Sequence, residues 1–431
     1  IFTVLFVVPL MLLLLPQPKN TENRPSAVRD LVVKIFGIVA DQGKAKAILV
    51  ISIVLMVIGS YYAVQVKVGE SEPGSPLLYP NHDYNISSRA INDRFPGSEE
   101  LYIVARTQEG SGLKRPEVLH ALEQFQRQML LDPALGGAKA LPGLIRAVNS
   151  MTHNLDPRWA QIPDTDAEVG GLMFAYMAAS PIPGALKEFL NTEETIANMV
   201  FFYKDHQADT IGRAIGLANE GIAKLGTSVP GLSIELAGGV VGVNAAINDA
   251  ARSDNYIIVP LVLVLAFAFV MMFYGSLHAG WLMILPMIFA TIMTYAYMGV
   301  KNIGMNVNTV PVIAVGIGVG IDYAIYIMQR IREEMAQLRD LKQAVLRAIA
   351  TTGFAVTFTA ATLIAGVIMW VIFSDLRFQS DSALLLSLML VLNAIAAMLL
   401  MPAWVMIFKP HFITAAYLDE DGVIQVDDKR A

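Results

Sequence analysis

Six long uncharged apolar runs constrain this sequence more than any other feature. A helix of about 20 apolar residues is long enough to cross the hydrocarbon core of a bilayer. Hydrophobic residues make up 55% of the 431 residues and charged residues only 16%, a balance that is unusual for a water-soluble protein. The runs are residues 47–66, 255–275, 276–300, 302–321, 348–374 and 382–408. They predict a polytopic α-helical membrane protein.

A seventh apolar run, residues 1–15, has neither an initiator methionine nor a basic leader. We therefore interpret it as the end of a preceding membrane helix and not as a signal peptide, which makes the chain a piece of a longer protein. The expected order after it is a linker at 16–46, a membrane helix at 47–66, a soluble-looking domain at 67–254, a five-helix membrane bundle at 255–408 and a tail at 409–431.

Lysine and arginine predict the orientation. The linker at 16–46 holds six of these residues and the segment 329–347 holds five, whereas the short loops near Lys301 and Arg377 hold one each. Loops rich in positive charge stay in the cytoplasm, so we expect the linker, the segment 329–347 and the tail to be cytoplasmic. The domain at 67–254 is then extracytoplasmic (periplasmic), in a multi-pass protein of the inner cell membrane.

The soluble-looking domain mixes two kinds of pattern. Residues 99–106 and 232–237 are typical of β-strands. Residues 116–131 and 210–225 repeat apolar side chains with helical spacing. This mixture predicts one small α+β domain.

The stretch 170–185 of that domain, GGLMFAYMAASPIPGA, is rich in methionine and aromatic residues. One interpretation is that it forms the core of the domain. The other is that it forms an apolar path for substrate or a surface that faces the membrane.

The composition also restricts the chemistry. The chain has no cysteine, its six histidines are scattered without an HExxH-like pair, and it carries no GxSxG or Walker motif. We therefore predict no enzymatic activity, no bound metal and no cofactor. A net charge of −6 without a basic cluster rich in aromatics argues against nucleic acid as a partner.

Asp322 places a carboxylate inside an apolar run that continues to Gln329. An ionised carboxylate in hydrocarbon is costly, so it usually becomes neutral, finds partners or lines a wet cavity. On a helix Asp322 shares a face with Gly318, and Gly316 and Gly320 form a small-residue ridge beside Tyr323. The three glycines predict close helix packing, with Asp322 and Tyr323 inside a helical bundle.

The next apolar run carries several threonines. Thr359, Thr362 and Gly366 fall on one helical stripe, and we expect this stripe to face Asp322. Burial opposes the ionised carboxylate while hydroxyl donors and water favour it, so a carboxylate balanced in this way can load and release a proton. The alternative is a permanently neutral Asp322 that only holds helices together, a role that Asn or Ser would fill at lower cost.

The order of one membrane helix, a large outer domain and five helices resembles the half-unit of the resistance–nodulation–division (RND) transporter superfamily. GIGVGIDYAIYIMQRIREEM (316–335) is similar to the fourth helix of such a half, particularly in the branch of MMPL (mycobacterial membrane protein large) and hydrophobe exporters. AVLRAIATTGFAVTFTAATLIAGV (344–367) is similar to the element that follows, and GESEPGSPLLYPNHDYN (69–85) is similar to the start of the porter domain.

This resemblance implies a fold class, a partner and a function. The chain would be the C-terminal half of a transporter with a porter-type domain, and its partners would be the N-terminal half, protons, the membrane and a lipid-like substrate, with a homo-oligomer left open. Asp322 and Tyr323 take the proton-relay positions, and Thr359 and Thr362 supply supporting hydroxyls. The implied function is proton-motive-force-driven export of hydrophobic or amphipathic substrates across or out of the cytoplasmic membrane.

Two other functions stay open on the sequence alone. A SecD/SecF-like component of protein export has a stretch similar to RIREE (330–334) at this position, although the Asp-Tyr pair and the size of the outer domain favour the hydrophobe exporters. The second is a sterol-sensing type of lipid receptor that binds lipid without pumping it. Proton-dependent movement of substrate in vesicles separates the three.

Overall fold

The computed structural model describes residues 27–108, 110, 112–225, 229–418 and 424–426, together with residues 6, 10, 11 and 14. The expected helix end at 1–15 therefore lies almost entirely outside the described residues. The α-helices are α1 (Ala27–Phe36), α2 (Gln42–Ala63), α3 (Asp83–Arg94), α4 (Pro116–Met129), α5 (Leu141–Thr152), α6 (Asp166–Ala179), α7 (Ala208–Leu225), α8 (Gly239–Tyr274), α9 (Leu277–Lys301), α10 (Thr309–Leu338), α11 (Leu341–Ala348), α12 (Phe354–Phe373), α13 (Arg377–Phe408) and α14 (His411–Thr414). The strands are β1 (Glu99–Thr107), β2 (Leu135–Lys139), β3 (Ile196–Tyr203), β4 (Leu232–Gly238), β5 (Ala416–Leu418) and β6 (Ile424–Val426).

Six helices of the described chain are long and apolar enough to cross a membrane. They are α2, α8, α9, α10, α13 and the continuous helix Leu341–Phe373, in which a π-helical turn at Ile349–Gly353 joins α11 to α12. The prediction of a polytopic helical membrane protein is confirmed. Two of these helices form the centre of the bundle, because 61% of the apolar window of α9 and of α13 is buried, against 6% for α8 and 11% for Leu341–Phe373.

Helix α8 is longer than its apolar run. It begins at Gly239, far ahead of the uncharged run at 255–275, and continues without a break to Tyr274. Its first turns belong to the neighbouring domain, since Val241 is fully buried in that domain's core. A polar helical stretch thus connects a membrane helix directly to the sheet described next.

A four-stranded antiparallel sheet organises the part between α2 and α8. Its strand order is β2-β3-β1-β4, with Ile103 of β1 opposite Met199 of β3 and Leu236 of β4. We call β1–β4 with α3–α7 the sheet domain. Its largest fully buried side chains include Tyr203, Phe125 and Phe201. The α+β prediction is confirmed, and β1, β4, α4 and α7 lie where the sequence patterns placed two strands and two helices.

The apolar stretch 170–185 is divided between two environments. Helix α6 turns Met173, which is 2% exposed, into the core of the sheet domain. It leaves Phe174 and Met177 on the surface at 68% and 46% exposure, and Ile182 beyond the helix is 68% exposed. The core interpretation holds for Met173, and an exposed apolar surface holds for Phe174, Met177 and Ile182.

Candidate functional site

Helix α10 carries the predicted site and packs closely on α13. A side chain at Gly316 would overlap Met389 of α13, and a Cβ at Gly320 would lie 2.5 Å from Cγ of Asn393. Only glycine permits this approach, so the structure places Gly316 and Gly320 in a helix–helix contact. Gly318 lies on the other side of α10, where a Cβ would meet no atom within 4 Å.

Asn393 ties the two helices together and was missed by the sequence reasoning. Its side chain is 1% exposed, and its Nδ2 donates a hydrogen bond to the main-chain oxygen of Gly316 at 2.9 Å. Its Oδ1 is buried without a hydrogen-bond partner among the described residues. The available signal was a lone amide in the apolar run at 382–408, because polar groups inside a membrane bundle usually bond to another helix.

Tyr323 points into the bundle. It is 2% exposed and belongs to the apolar cluster that includes Ala324, Ile327 and Ala394. Its hydroxyl is buried and finds no hydrogen-bond partner among the described residues. Because a buried hydroxyl without a partner is costly, this phenol has the capacity to bond to water or to a group that moves.

Asp322, the residue before Tyr323, lies on an exposed face of α10. Pro311, Val315, Gly318 and Tyr326 share that outward face. The carboxylate makes no hydrogen bond or ion pair with any described residue. The expectation that Asp322 lies inside a bundle therefore does not hold within this chain, because the glycine ridge turns Tyr323 and not Asp322 toward α13.

The two threonines also lie on an exposed face, that of α12. Their hydroxyls donate to carbonyl oxygens of their own helix, Thr359 to Ala355 at 3.0 Å and Thr362 to Phe358 at 2.5 Å. Gly366 on the same stripe is open to free space. No hydrogen bond joins either threonine to Asp322 in the described chain, so their supporting role stays a prediction.

The far end of α10 is fixed by a buried carboxylate. Glu334 is 2% exposed and accepts from Arg330 at 2.5 Å and from Arg347 of α11 at 3.4 Å. Arg332 lies over the ring of Tyr274 in α8, with 5.7 Å between the guanidinium carbon and the ring centroid. These contacts hold α10 to its neighbours at the end that faces away from the sheet domain.

A second polar cluster lies where the membrane helices meet the sheet domain. It encloses a cavity of about 30 Å³, enough for a single water molecule, whose lining includes Glu70, Glu72, Asn306, Arg377 and Asp381. Burial raises the pKa of Glu70 above its usual range, although a hydrogen bond from Asn306 Nδ2 at 2.9 Å opposes this. Sequence reasoning missed the cluster because its members come from three distant segments.

The fold and this site together define a class of protein. In the described chain an α+β domain follows the first of six apolar helices, and the glycine-lined fourth of these helices carries a carboxylate, which is the half-unit architecture of RND-type transporters. A model of the MMPL family matches residues 161–411. The chain belongs to the MMPL family.

Named relatives support the same family. The trehalose monomycolate exporter MmpL3 of Mycobacterium tuberculosis (strain H37Rv) is 36% identical over 103 residues, which cover 23% of this chain and 11% of that protein. The mycolic acid-containing lipids exporter MmpL11 of Mycolicibacterium smegmatis is 31% identical over 135 residues, covering 30% and 13%. The alignments thus span only small parts of these relatives.

A solved structure shares the fold. The cryo-EM structure of the hedgehog release protein Disp from the water bear Hypsibius dujardini superimposes with a TM-score of 0.58 at 10% sequence identity. The match covers 90% of this chain and 50% of Disp, so the chain spans about half the length of that protein.

Proposed function

We propose that this chain is one half of a transporter that exports hydrophobic or amphipathic, lipid-like substrates by using the proton-motive force. The observation that carries the proposal is Asp322, a carboxylate at membrane depth that is exposed on α10 and has no partner in the described chain. Hydrocarbon would make such a carboxylate costly. A second protein surface or a wet cavity must therefore cover it in the working protein.

The exposed face of α10 suits a second half-unit. Gly318 on this face allows close approach of another helix, and Asp322 lies in the same stripe. The stripe with Thr359 and Thr362 on α12 is also exposed. An N-terminal half that covers both faces would bring relay groups of its own to Asp322.

Protonation of Asp322 is the proposed driving event. Neutralising the carboxylate removes the cost of holding a charge at that depth and so changes which packing of α10 is favoured. Moving one charge through the membrane potential supplies about 2.3 kcal/mol per 100 mV. Tyr323 follows in the chain, and its buried hydroxyl has no hydrogen-bond partner among the described residues, which suits a group that passes the proton on or stabilises the carboxylate.

The contact between α10 and α13 gives this event a route to the rest of the bundle. Asn393 bonds to the backbone of α10 at Gly316, two turns before Tyr323, so a shift of α10 also displaces α13. Helix α13 is one of the two most buried membrane helices, and its first residue, Arg377, pairs with Glu72 in the segment that leads into the sheet domain.

The substrate class is taken from the relatives. Both mycobacterial proteins are named as exporters of lipids, and the exposed Phe174, Met177 and Ile182 of the sheet domain offer an apolar surface to such a molecule. We further propose that the sheet domain is extracytoplasmic. An impermeant thiol reagent should label Glu220→Cys but not Lys342→Cys in intact cells, and the reverse pattern would refute this orientation.

The test of the function is the energy source of lipid movement. Inside-out vesicles that contain the full-length transporter should accumulate a fluorescent lipid analogue when a proton gradient is present, and a protonophore should stop this. Movement of the lipid analogue that continues in the presence of the protonophore would exclude proton coupling. Binding without movement would favour a lipid receptor, and movement of an unfolded secretory protein instead of lipid would favour a SecD/SecF-like role.

A further inference from the structure

The segment between α2 and the sheet domain is bonded to two separate turns of the membrane bundle. We call residues 67–78 the junction segment. Gly69 N donates to Met305 O at 2.9 Å and Met305 N donates to Lys67 O at 2.8 Å, which attaches the segment to the turn between α9 and α10. Arg377 N donates to Leu77 O at 3.0 Å, which attaches it to the start of α13.

The attachment at the first turn requires glycine on both sides. A Cβ at Gly304 would overlap the main-chain oxygen of Gly69. Gly69 itself has a φ of +114°, a conformation that other residues rarely adopt. The two backbones therefore touch directly, and their relative position has little freedom.

Side chains reinforce both attachments. The guanidinium of Arg377 bridges Glu72 of the junction segment at 2.7 Å and Asp381 of α13 at 3.3 Å. Its side chain is only 21% exposed, so water weakens these ion pairs less than it weakens surface pairs. Asn306 donates to Glu70 at 2.9 Å beside the first turn.

The opposite side of the junction segment is bonded to the sheet domain. Ala208 N at the start of α7 donates to Glu70 O at 2.8 Å, and Gln207 Nε2 donates to Ser71 O at 2.9 Å. Lys67 also pairs with Asp209 of α7 at 2.5 Å. One short segment thus holds α10, α13 and α7 at the same time.

The junction segment is attached to the two helices that form the candidate site, α10 and α13. Helix α10 starts directly after the turn that holds Gly69, and α13 starts at Arg377. The same two helices meet again at Gly316 and Asn393. If the packing of α10 against α13 changes near Gly316 and Asn393, both attachments of the junction segment are displaced.

We propose that the junction segment is the rigid connection through which α10 and α13 move the sheet domain, with Arg377 as its main positioning residue. This rests on the proposed function, since it assigns a mechanical route to proton-coupled export. It differs from a hinge in one respect. The segment keeps its contacts with both helices throughout the cycle and transmits their displacement without separating from them.

The first test replaces Arg377 by glutamine in the full-length transporter, which removes both ion pairs and keeps most of the side-chain volume. Export of the lipid analogue should fall at least about tenfold, because the change removes the cation that joins Glu72 of the junction segment to Asp381 of α13. Proton uptake by the same vesicles should persist. The control is Arg94→Gln, an exposed arginine at the end of α3 without an ion pair among the described residues, which should leave both rates unchanged.

The second test rebuilds the attachment without charge. Leu78 and Leu376 face each other across an isolated antiparallel bridge, a spacing that a disulfide can span, and the chain has no other cysteine. Leu78→Cys with Leu376→Cys should support normal export when oxidised. The same disulfide should restore export to Arg377→Gln, and reduction should remove the rescue.

Three outcomes would overturn the inference. They are unchanged export by Arg377→Gln, loss of proton uptake together with export in a well-folded Arg377→Gln protein, and arrest of the otherwise native transporter by the oxidised disulfide. Amide hydrogen exchange across residues 67–78 gives a readout that does not depend on transport, and it should be faster in Arg377→Gln than in Arg94→Gln. If the unaltered protein shows no proton-driven export, the proposed function fails, while the exchange measurement still tests the attachment.

Discussion

At the scale of single residues, Asp322 and Tyr323 have different surroundings although they are neighbours in sequence. One residue turns an α-helix by about 100°, which is enough to bury the phenol at 2% exposure and leave the carboxylate on the surface. Under the proposed function, a proton would reach Asp322 from the exposed face of α10. The hydroxyl of Tyr323 lies inside the bundle, where it has no hydrogen-bond partner among the described residues.

For another residue, His206, we expect a pH-dependent contribution to the stability of the sheet domain. Burial by itself would lower the pKa of His206, but the carboxylates of Glu99, Glu70 and Asp205 outweigh burial and the pKa is raised. Its Nδ1 lies 3.3 Å from Oε2 of Glu99. A raised pKa stabilises the fold fully below the ordinary histidine pKa of about 6.5, and this contribution is lost as the pH rises through the raised value.

We therefore predict that His206→Gln lowers the melting temperature of the protein more at about pH 5.5 than at about pH 9. Thermal unfolding of the purified protein at both pH values measures this. His120→Gln is the control, because His120 is 55% exposed and 3.9 Å from Glu123, so its removal should change little at either pH. An equal loss for His206→Gln at both pH values would contradict the assignment.

Some residues of the site could be predicted from the sequence and others could not. Asp322 stands out because a charge within an apolar run is rare, and Gly316 and Gly320 follow from their spacing. Asn393 was missed because a lone amide in an apolar run does not show which neighbouring helix it bonds to. Arg377, Glu72 and Asn306 were missed because only the folded chain brings their three segments together.

At the scale of the elements, the contact between α10 and α13 determines the geometry of the site. Glycines at 316 and 320 let the two helices approach until Asn393 reaches the backbone of α10. The sequence also predicted the six apolar helices of the described chain and four of the nine elements of the sheet domain, β1, β4, α4 and α7. It did not reveal β3, whose run IANMVFFY lacks the alternation of a half-buried strand because the second face of β3 also carries apolar side chains, with Val200 buried and Phe202 half-buried. Nor did it reveal β2, which carries two glycines.

We predict that Gly320→Leu destabilises the protein by about 1–3 kcal/mol, because the new side chain would collide with Asn393. Unfolding of the purified protein in detergent measures the loss. Gly318→Leu is the matched control on the same helix, since its side chain would enter free space. It should leave the stability of this half unchanged yet impair export by the full-length transporter, where the second half is proposed to cover that face.

Equal destabilisation by the two substitutions would contradict the packing described for α10. Normal export by a stable Gly318→Leu protein would contradict the proposal that a second half-unit covers the Asp322 face.

At the scale of the whole molecule, the chain is a membrane bundle with a sheet domain attached at one end, and it spans about half of Disp. Its most exposed membrane helices, α8 and Leu341–Phe373, and the outward face of α10 together offer a large surface to lipid or to another protein. The fold accounts for this if the chain works beside a second half-unit. In that arrangement Asp322 lies between the halves, where its protonation can change how they pack.

The measurement that tests this account most directly is proton-driven export by Asp322→Asn in the full-length transporter, reconstituted in liposomes with an imposed proton gradient. Asn has the size and hydrogen-bonding capacity of a protonated Asp, so the protein should fold and insert at near-normal levels. Because Asn cannot release a proton, export should fall to the level of liposomes without protein, and Asp254→Asn, an exposed carboxylate of α8, should export normally. Tyr323→Phe should reduce export as well. Sustained export by a well-folded Asp322→Asn protein would contradict the central claim, and failure of that protein to fold would show that Asp322 serves structure instead.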